Sequence, residues 1–472
     1  MPAEHDRSQV GIIGNKVGGV PRLATTLRSR HAIMIAFGGT IGAGIFVGTG
    51  ESIASTGPAI VLSYLVVGVL AAIVMRVLSI QTARNPDSGS FATHAGEAFG
   101  HSGRFFVGWM YWWLMVVTAS VEATTAGAKA AALIGLFPAS VWAVLFIVIL
   151  TVVNLAPVRT FGEFQFWLVL AKVVLMIAVP VLAILGVLGV LPHVSISKAA
   201  STINDTGLVP NGYGPVVATM LVAAFSFLGI EMTSIAAGET DHPRRVIPKA
   251  LRLVMYTVLG SYVLSLLMTV LLVPWNDPSV TASPFNAMMT ALHIPAATDI
   301  INIVVLTAVL SVLNSCVYSA SRIGFALGGR RDAPKAWARL TARQVPRNAV
   351  IAAAVVGIII TILTYIAPSD ISLGVLDSAG AVGIVTWIAI VVSYLKMRPK
   401  QTSAWGLPDR ISQSRTLFGA GVASVALIAI LIGMLFVGST QLELLMTLLT
   451  ATVIFVVVLW RETSRGGAEQ EP

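Results

Sequence analysis

The chain has 472 residues, 56% of them hydrophobic and only 11% charged, far below the roughly 25% charged of soluble domains, so it reads as a polytopic membrane protein. A formal charge of +9 raises nucleic acid as a partner, but 27 of the 30 Lys and Arg fall on one side of the predicted membrane, which rejects that class. The single cysteine, Cys316, lies in an apolar run, so neither a disulfide framework nor a thiolate metal cluster is expected, and no cofactor motif is found.

Residues 1–30 are polar and basic, without the apolar core of a cleavable signal, and are expected to form a cytoplasmic N-terminal segment. Runs of spanning length follow at about 31–54, 58–80, 103–135, 139–156, 163–191, 214–237, 250–273, 297–326, 349–366, 371–396, 417–437 and 441–460, twelve in all. With both termini inside, only Lys129 and Lys198 fall outside and Lys172 falls within span 5, which fixes the orientation by the positive-inside rule. Residues 461–472 become a cytoplasmic tail, and the cell membrane is the expected location.

Span 1 contains Phe37-Gly38-Gly39-Thr40-Ile41-Gly42-Ala43-Gly44-Ile45-Phe46. Glycine lies about 1 kcal/mol below alanine in helix propensity, so the helix is weakest where the lipid is driest. Irregular backbone at that depth survives only around a buried site, because each unsatisfied polar group in hydrocarbon costs several kcal/mol. The alternative is a small-residue packing face made by Gly38 and Gly42, or by Gly44 and Gly48. Span 3 carries Trp109, Tyr111, Trp112 and Trp113, an aromatic cluster expected at an interface, with substrate contact by Tyr111 left open. Deeper in the same span, Glu122 either meets a substrate ammonium or anchors packing through Lys172 or a hydroxyl such as Thr118.

Span 6 supplies a second interruption, Phe225-Ser226-Phe227-Leu228-Gly229-Ile230-Glu231. Two broken spans five apart predict inverted repeats over 31–191 and 214–396, followed by two extra helices over 417–460. The free amides of one half-helix then suit a carboxylate and the free carbonyls of the other an ammonium, so a zwitterion fits both. Glu231 is expected to accept orphaned amides of the unwound segment, with proton relay as the other role. In span 8, Asn314, Ser315, Ser319 and Ser321 are expected to bond between helices. The basic loop Gly328 to Asn348 is expected to be solvated near anionic lipid, and Asp377 in span 10 is expected at one of the two vestibules.

These stretches, with Arg30-His31, Gly89-Ser90-Phe91, Gly162-Glu163-Phe164-Gln165, Ala236-Ala237-Gly238-Glu239, Ile247-Pro248-Lys249-Ala250 and Asp332-Ala333-Pro334-Lys335, resemble the amino acid transporter family of the amino acid, polyamine and organocation superfamily. Asn85 to Phe91, Val209 to Gly214 and Pro274-Trp275-Asn276 are most similar to γ-aminobutyrate permeases, while Ile80 stands where many relatives carry a glutamate. The resemblance implies an all-α protein with a LeuT-type 5+5 inverted repeat, spans 1 and 6 unwound at the midplane, and proton-coupled uptake of an amino acid. Carried over residue by residue, Thr40, Ile41, Gly42, Ala43 and Gly44 would meet the carboxylate. Phe225, Ser226 and Phe227, with the break at Gly229, would line the amine side, Phe225 acting as the gate. Lys172 stands where the family places a lysine near the cation of sodium-driven relatives. It is expected either to carry the coupling proton or to act as a charged strut to the carbonyls of span 1. Exchange, uptake of another neutral amino acid, and substrate sensing on a transporter fold are the remaining alternatives.

Overall fold

The computed structural model describes residues 16–17, 20–21, 23–191, 194, 196–294, 297–367, 369–397 and 410–468. Much of the expected N-terminal segment 1–30, part of the tail 461–472 and the side chain of Asp377 lie outside the described residues. A small hairpin, β1 (Lys16–Val17) with β2 (Val20–Pro21), precedes the helices.

Ten described helical stretches are long and apolar enough to cross a membrane. The first runs over 56 residues and contains α1 (Ser29–Thr40), a π-helical turn (Gly44–Gly48), α2 (Thr49–Thr56) and α3 (Ile60–Arg84). Gly57, at φ +69°, turns the chain between α2 and α3. The expected third span is the later part of α4 (Ser90–Ile134), which breaks at Gly100 with φ 72° and ψ −158°. After it come α5 (Ala139–Asn154), apolar but only 16 residues long, α6 (Val158–Val187), α7 (Ser197–Thr206), α8 (Tyr213–Phe227) and α9 (Met232–Ile235). The rest are α10 (Pro243–Leu272), α11 (Pro278–Ala282), α12 (Pro284–Ala291), α13 (Ala297–Gly329), α14 (Arg347–Ile366), α15 (Ser369–Met397), α16 (Arg410–Gly433) and α17 (Gln441–Ala468).

Large apolar side chains such as Leu62, Val152, Trp167, Phe418 and Phe436 point outward, whereas Glu122, Lys172 and Glu231 point inward. That is the arrangement hydrocarbon surroundings demand, since charge is tolerated only where protein covers it. The core is a large apolar cluster, with a smaller one around Leu27, Phe161 and Tyr318; α4 packs on α13, α15 and α5, and α1 packs on α6, α10 and α13.

Asn314 and Ser315 tie the helices together as expected of span 8, whereas Ser321 bonds within its own helix, to Tyr318 O and Arg322, and the buried Ser319 hydroxyl has no partner among the described residues. Asn314 donates to Gln165 at 2.7 Å, Asn154 donates to Asn314 at 2.8 Å, and Gln165 donates to Ser315 at 2.8 Å. Arg322, inside the expected span 297–326, is only 1% exposed; it pairs with Glu239 at 3.2 Å and lies 4.2 Å over the Tyr318 ring, whose hydroxyl also donates to Glu239. Glu239 is placed by the chain before α1: Leu27 N–H donates to Glu239 O at 2.9 Å, and Asp241 N–H donates to Leu27 O at 3.1 Å. The basic loop, expected to be solvated, is not uniformly so. Arg331, Lys335 and Arg343 are exposed, but Asp332 is buried against Arg104 Nε at 2.9 Å and His101 Nε2 at 2.7 Å, and Trp337 stacks on Trp112 at 5.5 Å.

Candidate functional site

The glycines of span 1 do end the helix. Ile41 is extended at φ −85° and ψ 93°, and helical backbone resumes at Ala43. Lys172 of α6, fully buried, donates to Gly38 O and Ile41 O at 2.8 Å each and to Ser311 Oγ of α13. The ammonium therefore serves carbonyls on the N-terminal side of the break, which hydrocarbon could not. On the C-terminal side, Ala43 N–H donates to both carboxylate oxygens of Glu122, at 3.1 and 3.2 Å. This corrects the expected partners of Glu122, because neither Lys172 nor Thr118 is hydrogen-bonded to it among the described residues. A Cβ on Gly42 would lie 2.8 Å from Val312 and 2.9 Å from the Glu122 carboxyl carbon, so glycine there is what lets the carboxylate reach the backbone.

The second break lies directly against the first. Beyond α8, Leu228 is extended and Gly229 adopts φ +103°. A Cβ on Gly229 would overlap the Gly39 carbonyl and stand 3.0 Å from Thr40 N. Glu231 Oε1 accepts from Gly229 N–H at 3.0 Å and from the Tyr111 hydroxyl at 3.1 Å. Glu231 thus has the amide-capping geometry expected of it. Tyr111, fully buried, is neither an interfacial anchor nor a lining residue: it stands behind Glu231, edge-on to Phe91 at 4.5 Å.

Between the breaks lies a cavity of about 10 Å³, room for one water. Of the residues expected to bind substrate, Thr40, Gly44, Glu122, Phe225 and Gly229 line it. Ile41, Gly42 and Ala43 form the break behind it, while Lys172 lies on the far side of α1. Ser226 and Phe227 turn away, contrary to expectation: Ser226 Oγ meets the Tyr64 hydroxyl at 2.9 Å, and Phe227 packs on Tyr262 with ring centroids 5.3 Å apart. The helix continues through Phe227, so three consecutive side chains project about 100° apart and cannot share one wall. The sequence did not single out Gly39, Met115, Leu228, Met232 or Val312 as lining residues, nor Ser311 as a partner of Lys172. For α4 a signal existed, since Met115, Thr118 and Glu122 recur at helical spacing and face the cavity together.

Fold and site define a multi-pass helical transporter of the cell membrane, with two broken helices in contact around a small cavity. The sequence pattern of the family described as "Amino acid permease" matches residues 31–465, and the chain belongs to that family. It is similar to a probable GABA permease of Pseudomonas aeruginosa, 40% identical over 82% of each chain. The gamma-aminobutyric acid permease of Bacillus subtilis is 35% identical over 93% of this chain and 94% of its own. An aromatic amino acid transport protein of Corynebacterium glutamicum is 36% identical over 80% of this chain and 82% of its own. These are transporters, and the chain is an amino acid permease rather than an enzyme.

Proposed function

We propose that the protein takes up a zwitterionic amino acid, γ-aminobutyrate foremost, by proton-coupled symport with alternating access. The observation that carries this reading is the contact of the two breaks around a cavity, with carbonyls of one half-helix and an amide of the next held by buried charges. The named permeases of Pseudomonas aeruginosa and Bacillus subtilis support γ-aminobutyrate; the Corynebacterium glutamicum relative favours an aromatic amino acid as the second reading.

In this reading the twelve spans are α1 with α2, then α3, α4, α5 and α6, then α8 with α9, α10, α13, α14 and α15, and finally α16 and α17. The first ten form the 5+5 inverted repeat of 31–191 and 214–396, with both termini cytoplasmic. The backbone from Thr40 to Gly44 receives the substrate carboxylate, Phe225 covers the cavity, and Lys172 carries the coupling role, with Glu231 as the other candidate. A cavity of about 10 Å³ belongs to a closed form, so loading requires the breaks to separate. Substrate and proton drive that change only through differential affinity for its two states.

Counterflow in proteoliposomes tests the proposal. Labelled γ-aminobutyrate should accumulate against preloaded unlabelled substrate, and a panel of β-alanine, phenylalanine and smaller α-amino acids should compete less well. No counterflow by any amino acid would refute alternating access.

A further inference from the structure

We propose that Glu122 is a tethered stand-in for the substrate carboxylate: in the empty, closed form it holds the amide end of the C-terminal half-helix, and loading exchanges it for the substrate's own carboxylate while Glu122 passes to the substrate's ammonium. This rests on the transport reading above and assigns the residue that makes the site select zwitterions.

The half-helix that resumes at Ala43 runs on through Thr56, and its amide end attracts an anion. The chain fills that position itself, with both oxygens of Glu122 on Ala43 N–H. Glu122 is 2% exposed and lines the cavity, so a second carboxylate cannot reach the same amide without displacing it. Lys172 offers no new partner, because its ammonium is already directed to Gly38 O, Ile41 O and Ser311 Oγ. The cation that arrives with the displacing carboxylate is the substrate's own ammonium.

A second observation supplies the place to which Glu122 moves. Thr118 lies one turn earlier on α4, lines the same cavity and is 6% exposed, yet its hydroxyl has no hydrogen-bond partner among the described residues. On a helix, residues four apart are neighbours, so a carboxylate leaving Ala43 meets that hydroxyl as a donor. A permanent Glu122 cap would leave the Thr118 hydroxyl unexplained and the Ala43 amide closed to every substrate. In the exchange, an acid without an amine strands Glu122 as an unpaired buried charge, and an amine without a carboxylate finds Glu122 still held.

The test uses the full chain purified in detergent, with binding of each compound alone read as a concentration-dependent rise in melting temperature. The wild type should prefer γ-aminobutyrate over butyrate by at least about a hundredfold, because butyrate leaves the buried carboxylate with the Thr118 hydroxyl but no cation. Glu122→Gln keeps an oxygen for Ala43 N–H and removes the charge, so the preference should fall below about tenfold, with butyrate bound as tightly as before or more so. Thr118→Val should weaken γ-aminobutyrate about five- to tenfold without lowering the melting temperature of the empty protein. An undiminished preference in Glu122→Gln, or a Thr118→Val protein that is less stable but binds normally, would overturn the exchange. If the wild type does not bind γ-aminobutyrate, that substrate assignment fails instead, and phenylalanine with 3-phenylpropionate takes the same two arms.

Discussion

Replacing Lys172 by methionine keeps an unbranched side chain, one atom shorter, and removes the ammonium. Three hydrogen bonds go with it, two of them at 2.8 Å to Gly38 O and Ile41 O and the third to Ser311 Oγ. At about 1.5–3 kcal/mol for each bond from a charged group, the loss is about 4–9 kcal/mol, while several kcal/mol of ammonium desolvation are recovered. Two opposing terms of similar size make stability a poor discriminator, so the assay has to read coupling. A gradient of about 1 pH unit is worth about 1.4 kcal/mol per proton and sustains about tenfold accumulation at one proton per substrate. Wild-type proteoliposomes should reach that ratio, whereas Lys172→Met should equilibrate near unity and still perform counterflow. Lys172→Arg should also fail to accumulate, because a guanidinium keeps its charge without releasing a proton. Wild-type accumulation by the methionine variant would refute the coupling role and leave Lys172 a strut.

Gly229→Ala should destabilise the protein by about 2–5 kcal/mol, combining about 1–2 for left-handed backbone with about 1–3 for overlap on Gly39, and abolish uptake; an unchanged melting temperature would count against the contact of the two breaks. Arg322→Met should cost about 3–5 kcal/mol by stranding Glu239, with partial recovery on adding Glu239→Gln, both read by thermal melting in detergent. Glu231→Gln retains an acceptor for Gly229 N–H and should leave the pH dependence of uptake unchanged; a shifted profile would transfer the coupling role to Glu231. At the start of α11, Asp277 accepts from Ser279 Oγ at 2.7 Å and Ser279 N–H at 2.9 Å, which holds its carboxyl below the usual range. A lowered folded pKa gives stability that is full above the unfolded value near 3.9 and lost as pH falls through the folded one. Asp277→Ala should therefore cost about 0.5–2 kcal/mol near neutral pH, and the difference from wild type should shrink below about pH 4.

The breaks were legible because glycine acts through the backbone, and a cluster such as Gly38 to Gly44 weakens a helix whatever surrounds it. That Lys172 needs acceptors was legible, since a lone ammonium in an apolar run does not stay unpaired, while its pairing with the carbonyls of span 1 was expected only from the family resemblance. Partner choice was not legible. Glu122 was read toward an ammonium, Lys172 or Thr118, and Tyr111 toward the membrane interface or the substrate; their partners, Ala43 and Glu231, are set by how α4 packs against the two breaks. The partners of Arg322 were equally illegible, since nothing local in the sequence signals that Glu239 and Tyr318 lie within its reach.

Charge is divided across the break in span 1 in a way that bears on movement. The N-terminal half-helix is held through Gly38 and Ile41 by Lys172 of α6, itself bonded to Ser311 of α13. The C-terminal half is held through Ala43 by Glu122 of α4, and Gly229 of the second break is wedged against Gly39 between them. Separating the halves therefore means giving up bonds to one buried side chain or the other, and neither can be left unpaired at low cost. In the proposed mechanism, a substrate that replaces Glu122 would lower the cost of moving the C-terminal half, whereas a proton at Lys172 would act on the N-terminal half. Substrate and proton would then bias different halves of one broken helix, their effects meeting at the close backbone approach of Gly39 and Gly229.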